Sequence, residues 1–161
     1  MHVIYYCYGS AHSSVTSAAI HLGRLPVDRV PTKQEILGLA DYDFVESWQI
    51  GTLFFKGHDE FGNGVYTLGL GGEQAVAKQA LVSFLEQVGL DTSDLFFNQA
   101  LPHINSYAKI GGALSRRYGF VKLGRPLSAY GIRRSYGDLV RFVQEVKREE
   151  VRRMQGPRGR N

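Results

Sequence analysis

A cysteine, a histidine and several serines lie close together near the amino terminus, in the stretch YYCYGSAHSSVTSAA (residues 5–19). Cys7 ends an apolar run, and His12, Ser13 and Ser14 follow after a loop of small residues. Such a loop lets successive backbone N–H groups form a concave nest for an anion, and the same field favours the reactive thiolate form of a thiol. These residue types predict a nucleophilic thiol beside an oxyanion-binding loop.

This stretch resembles the strand, loop and helix of low-molecular-weight tyrosine phosphatases and arsenate reductases, where a cysteine precedes five residues, an arginine and a serine or threonine. It also resembles the phosphocysteine loop of the cellobiose-type B components of sugar phosphotransferase systems, which has no arginine. The resemblance implies that Cys7 is a nucleophile or phosphoryl acceptor, that residues 8–13 hold the phosphate, and that Ser14 hydrogen-bonds the thiolate. Position 13 is serine and the chain has no Asp-Pro pair for a general acid, so phosphoryl carriage or anion binding fits better than phosphatase chemistry.

Each of these residues also has a structural interpretation. Cys7 is either a reactive thiol or a small buried hydrophobic residue. His12 either moves a proton or ties down its loop. The candidate catalytic residues are Cys7 and His12, and the candidate ligand-binding residues are Gly9, Ser10, Ser13, Ser14, Gly71, Gly72, His103, Asn105 and Arg125.

Apolar periodicity and turn residues predict the elements that would position these side chains. A capping box formed by Thr32 and Glu35 predicts a helix to about residue 40. Asn105 or Ser106 is expected to cap a helix to about residue 118, and Arg125, before a proline, is expected on a loop. The other expected elements are strands at 3–8, 52–57, 65–70, 94–101 and 120–123, and helices at 14–22, at 73–88 and from Ser135 onward.

Strands and helices alternate along the chain, with one hairpin inserted. This order predicts a three-layer α/β fold with a mostly parallel sheet and helices on both faces. We expect a single domain over residues 1–153 and a flexible basic tail at 154–161. In open α/β sheets ligands bind at the carboxyl ends of the strands, which points to the loops 8–14, 70–73 and 101–106.

A second resemblance extends over most of residues 1–147. The segments CYGSAHSS, VYTLG, LPHIN, IGGALSRR and LGRPLSAYG together resemble an uncharacterised family of small proteins from spore-forming bacteria. That family is known only as a domain of unknown function, so the resemblance implies no activity, substrate or cofactor.

The composition limits the kinds of partner and the cellular compartment that we expect for this chain. The formal net charge of the 161-residue chain is +4, and no acidic residue occurs before Asp28 or between Asp94 and Asp138. Bringing these two segments together would make a positive face that attracts anions. No apolar run is long enough for a membrane span, and the single cysteine suits a reducing cytoplasm. We expect no membrane association, no nucleic-acid partner, no cofactor and no metal site, because the five histidines show no ligand spacing.

Two functions remain open from the sequence. The first is binding of a phosphorylated or anionic small molecule by the loop from Cys7 to Ser14, with cysteine-dependent phosphoryl transfer if the chain is an enzyme. The second is a non-catalytic ligand-sensing or protein-interaction module of sporulating bacteria, whose tyrosines would contact a partner or form a homodimer.

Overall fold

The computed structural model of the chain describes residues 1–116 and 118–155. Within these residues the four strands are β1 (His2–Cys7), β2 (Leu53–His58), β3 (Gly64–Gly69) and β4 (Leu95–Gln99). The helices are α1 (Ser13–His21), α2 (Lys33–Leu37), α3 (Gln74–Gln87), α4 (Ser106–Arg116), α5 (Val121–Arg134) and α6 (Tyr136–Gln155), with short 3₁₀ turns at Ser47–Gln49 and Leu101–His103.

The four strands form one mixed, mostly parallel sheet in the order β2-β3-β1-β4. Strands β3 and β4 both pair in parallel with β1, and β2 pairs antiparallel with β3. The predicted α/β class is therefore confirmed. The inserted hairpin, β2 and β3, joins the main sheet and places β2 at its edge. Cys7 lies at the carboxyl end of the central strand, beside Gly69 of β3.

Alternating side chains of β1 contribute to two apolar clusters. Val3 and Tyr5 belong to the larger cluster, which contains residues of α1, α5 and α6. Ile4 and Tyr6 belong to the smaller one, against which Ala77 and Leu81 of α3 pack. Successive side chains of a strand point to opposite faces, so helices cover both faces of the sheet. The three-layer arrangement follows from this alternation.

The predicted strand at 120–123 is wrong. Residues 121–123 form the first turn of α5, which continues through Pro126 to Arg134, so Arg125 lies within a helix and not on a loop. A short run with three apolar residues does not distinguish a strand from a helix start, and here packing of α5 against α4 decides the conformation. Proline removes one N–H group without ending this helix.

The last helix continues beyond the predicted domain boundary. α6 extends to Gln155, so the first two residues of the predicted basic tail are helical. The side-chain amide of Asn63 lies 3.4 Å from the sulfur of Met154, which ties this end of α6 to the hairpin turn. Residues 156–161, the rest of the predicted tail, lie outside the described residues.

Candidate functional site

The thiol of Cys7 lies at the base of the loop between β1 and α1. Its Sγ is 3.1 Å from the Oγ of Ser14, in the first turn of α1. The spacing of seven residues lets the chain leave the strand, turn, and begin the helix directly above the strand end. Both side chains are buried, with Cys7 only 4% exposed. The contact agrees with the role that the resemblance assigns to Ser14.

The backbone N–H groups of this loop have few acceptors. Within the part of the chain that the structure describes, no N–H group from Gly9 to Ser14 donates a hydrogen bond to a protein acceptor. Ser10 adopts the left-handed conformation, with φ 57°, and its buried hydroxyl also has no partner. Non-glycine residues rarely adopt this conformation, and buried N–H groups nearly always find an acceptor. The loop therefore has donors to offer to a group outside the chain.

The His12 ring is tied to the segment that follows α2. Its Nε2 donates to Oδ1 of Asp43 across 2.9 Å, and its ring packs edge-on against Tyr42. The N–H of Asp43 in turn donates to the carbonyl of Ala11, 2.9 Å away. These contacts favour the interpretation in which His12 fixes its loop.

The carboxylate of Asp43 receives two further groups from the end of α4. Ser115 donates to Oδ2 across 2.5 Å, and Nε of Arg116 lies 2.9 Å from Oδ1. Burial is the largest single influence and would raise the pKa of Asp43. Hydrogen bonds from His12 and Ser115 and the nearby positive charges outweigh it and lower that pKa below its usual value. Asp43 is thus held as a carboxylate near neutral pH.

Neighbouring backbone covers much of the loop. A Cβ atom added to Gly112 of α4 would lie 2.9 Å from the His12 ring, and one added to Gly69 would lie 3.0 Å from the carbonyl carbon of Gly9. Glycine at both positions lets α4 and β3 approach the loop closely. As a result Ser10, Ser13 and Ser14 are buried, whereas Gly9 is half-buried.

Of the two predicted glycines after β3, Gly71 is tied to the loop. Its N–H donates to the carbonyl of Tyr8 across 2.9 Å, and it takes a left-handed conformation, with φ 68°. Gly72 is exposed, and an added Cβ there would have no neighbour within 4 Å. The structure therefore brings Gly71 to the rim of the loop, with Gly72 beyond it.

The remaining predicted ligand residues have other neighbours. His103 stacks on Phe142 of α6 with ring centroids 4.0 Å apart. Asn105 caps α4 by accepting the N–H of Ala108 and also donates to the carbonyl of Gly131. Arg125 donates to the carbonyl of Leu37 across 2.9 Å. None of these contacts involves the Cys7 loop, and Arg116 approaches that loop through Asp43.

Several cations of the expected positive face have partners within the chain. The two acid-free segments do meet, where Gly112 approaches His12. However, Arg116 contacts Asp43, and Arg125 and Arg133 donate to backbone carbonyls. These three arginine side chains therefore link α4 and α5 to the segment between α1 and β2.

Sequence reasoning missed the role of Asp43, because only the fold brings it to His12 and to Arg116. It also missed a buried cluster at the opposite end of the sheet from the Cys7 loop. There the side chains of His21, Asp59 and Glu150 converge, with ligand atoms all within 4.8 Å of one another. The expectation of no metal site rested on the spacing of the histidines. This cluster contains one histidine and two carboxylates that are distant from it in sequence.

The comparisons with known proteins place the chain in a family without assigning it an activity. Among the described residues, no helix combines the length and apolarity needed to cross a bilayer. No curated protein and no solved structure gave a significant match. A family model does match residues 2–148, nearly the whole chain. The chain therefore belongs to the family described as "Protein of unknown function (DUF3189)".

Proposed function

We propose that the loop from Cys7 to Ser14 binds a small phosphorylated or other oxyanionic ligand through its backbone N–H groups. The observation that carries this proposal is the set of N–H groups from Gly9 to Ser14 that lack an acceptor among the described residues, in a loop that is mostly buried. An oxyanion supplies several acceptors at once, which six adjacent donors require. The buried, unpartnered hydroxyl of Ser10 is a further donor at the same place.

The start of α1 adds to the attraction of the loop for an anion. α1 has nine residues, and its N-cap, His12, makes no side-chain capping hydrogen bond. Uncapped N–H groups and the positive end of the helix dipole both favour negative charge at this point. An anion bound there would complete the cap that the sequence does not provide.

The finer part of the proposal concerns Cys7. A ligand phosphorus above the loop would stand near the thiol, and the hydroxyl of Ser14, 3.1 Å from Sγ, can donate to a thiolate. In phosphoryl transfer the thiol loses its proton to solvent, the sulfur–phosphorus bond forms as the phosphorus–oxygen bond to the leaving group breaks, and the leaving oxygen takes a proton from solvent. Because Nε2 of His12 is engaged by Asp43, we assign His12 to positioning the loop.

One observation favours the non-catalytic alternative, a ligand-sensing or interaction module. Cys7 is 4% exposed, and α4 and Asp43 lie over the loop that follows it. A covered thiol is a poor nucleophile toward a bulky substrate. Under this alternative the anion stabilises the loop and no covalent bond to sulfur forms. The cytoplasmic, sporulating setting implied by the sequence stays a prediction for both alternatives.

Crystals soaked in tungstate test the binding proposal directly. We expect tungstate oxygens within hydrogen-bond distance of several N–H groups between Gly9 and Ser14. Ordered water alone at these groups, with tungstate bound elsewhere, would contradict the proposal.

Alkylation of Cys7 by iodoacetamide at about pH 6, with and without sulfate, separates the two alternatives. A thiol that is alkylated within minutes and is protected by sulfate supports the nucleophile. A thiol that is alkylated slowly, in a protein whose loop binds tungstate in the soaked crystals, supports the sensor. Cys7→Ser controls for labelling elsewhere. Ser14→Ala should change the rate, whereas Ser17→Ala, a buried and unpartnered serine one turn further along α1, should not.

A further inference from the structure

Three buried side chains meet at the end of the sheet opposite the Cys7 loop. His21 ends α1, Asp59 follows β2 in the hairpin turn, and Glu150 lies near the end of α6. The side chains of all three have no exposed surface. Two carboxylates removed from water are costly unless they are paired or bind a metal ion, and one imidazole offers at most one positive charge.

One atom of each side chain makes no hydrogen bond, and these three atoms face one another. They are Nε2 of His21, Oδ2 of Asp59 and Oε2 of Glu150, each buried and without a hydrogen bond. Nε2 of His21 lies 3.5 Å from Oδ2 of Asp59 and 3.3 Å from Oε2 of Glu150. Metal bonds of about 2.0–2.2 Å in a tetrahedral arrangement put neighbouring ligand atoms about 3.3–3.5 Å apart.

The other atom of each ligand group is held by a second layer of contacts. Nδ1 of His21 lies 2.8 Å from the hydroxyl of Tyr5. Oδ1 of Asp59 accepts the N–H groups of Phe61 and Asn63, and the Asn63 side chain donates to Oε1 of Glu150 across 2.7 Å. Metal-binding histidines and carboxylates are usually oriented by such contacts, which leave the remaining atom for the ion.

We propose that His21, Asp59 and Glu150 bind one divalent transition-metal ion. One imidazole nitrogen with two carboxylate oxygens suits Zn²⁺, Mn²⁺, Fe²⁺ or Co²⁺, whereas Ca²⁺ takes oxygen ligands alone. The ion requires the tautomer in which Nδ1 of His21 donates to the oxygen of Tyr5, which frees Nε2 to coordinate. This proposal does not depend on the function proposed for Cys7.

Lys147 does not supply the missing positive charge. Nζ of Lys147 lies 2.7 Å from the carboxylate of Glu60 and donates to the carbonyl of His21. Lys147 and Glu60 also line a surface hollow beside Phe61 and Val151, the sequence neighbours of the two buried carboxylates.

The test is a Co²⁺ titration of the chelator-treated full chain, followed by visible absorption and calorimetry. We expect saturation at one equivalent and a spectrum without a thiolate band. Binding should weaken at least about tenfold in Asp59→Asn and in Glu150→Gln. The matched control is Glu60→Gln, which removes an adjacent exposed carboxylate and should leave binding unchanged.

Two results would overturn the proposal. One is a wild-type chain that takes up no saturable Co²⁺, which would mean that protons alone occupy the cluster. The other is binding that survives both Asp59→Asn and Glu150→Gln. If either variant fails to fold, anomalous diffraction from wild-type crystals soaked in Co²⁺ decides, because the peak either lies within bonding distance of all three atoms or does not.

Discussion

The buried carboxylate of Asp43 joins three parts of the chain at one residue. It contacts His12 from the Cys7 loop and Ser115 and Arg116 from the end of α4. Asp43 itself has a left-handed conformation, with φ 58°, while its N–H donates to the carbonyl of Ala11. A strained residue that holds so many contacts indicates that the conformation of the loop depends on this carboxylate.

Asp43→Asn should lower the free energy of unfolding by about 2–4 kcal/mol, because it removes the charge that pairs with Arg116 and replaces an acceptor with a donor. Urea denaturation measures the change. The control is Asp41→Asn on the same segment, whose partly exposed carboxylate pairs with Lys56 and should cost less than about 1 kcal/mol. Equal stabilities for the two variants would show that Asp43 does not hold the loop.

Asp43 should also make stability depend on pH at the acidic end. Its pKa is lowered in the folded chain, so the unfolded chain takes up the proton first as the pH falls. The stabilisation is present above about pH 4, the usual value for an aspartate, and is lost as the pH falls from there toward the lower folded pKa. The groups that face this carboxylate are His12, Ser115 and Arg116.

Urea unfolding of the wild type and Asp43→Asn between about pH 5 and pH 3 measures this contribution. The difference in unfolding free energy between the two should shrink as the pH falls. A difference that stays constant over this range would mean that the pKa of Asp43 is not lowered in the folded chain.

At the scale of elements, α4 and α5 pack with their backbones in contact. A Cβ atom at Gly131 of α5 would overlap the backbone of Ala108 in α4. Gly131→Ala should therefore force the helices apart and cost about 1–3 kcal/mol. Thermal unfolding measures the loss.

The matched control for Gly131→Ala is Gly137→Ala in the first turn of α6. An added Cβ there meets only the side chain of Arg141, 3.9 Å away, so the change should be neutral or stabilising by up to about 1 kcal/mol. If Gly131→Ala is as stable as the control, the close approach of α4 and α5 is not required.

Local signals were sufficient for most elements and for part of the site. Strand β1, the hairpin and α3 follow from apolar periodicity and turn residues. The contact between Cys7 and Ser14 was expected from the resemblance alone and not from the local pattern. The helical start of α5 did not follow, because it depends on packing against α4. The cluster of His21, Asp59 and Glu150 could not be predicted either, since its members come from α1, the hairpin turn and α6 and meet only in the folded chain.

At the scale of the whole molecule, the two candidate sites lie at opposite ends of β1. Cys7 ends the strand, whereas His2 at its start pairs with Gly64, just after the hairpin turn that contains Asp59. Five residue steps along a strand span about 17 Å. Sites this far apart, with no shared side chain among the contacts described, should act independently on stability.

Independent sites predict additive stabilisation by their ligands. A ligand that binds only the folded chain raises the free energy of unfolding in proportion to the logarithm of its concentration over its dissociation constant. Saturating Co²⁺ and sulfate should therefore each raise the unfolding free energy, and together they should give the sum to within about 0.5 kcal/mol. Urea unfolding with each ion alone and with both ions measures the effect. Glu150→Gln should remove only the stabilisation by Co²⁺, and Ser14→Ala should reduce only the stabilisation by sulfate. A joint effect well below the sum would instead mean that the central strand couples the two ends of the sheet, so that filling one site alters the other.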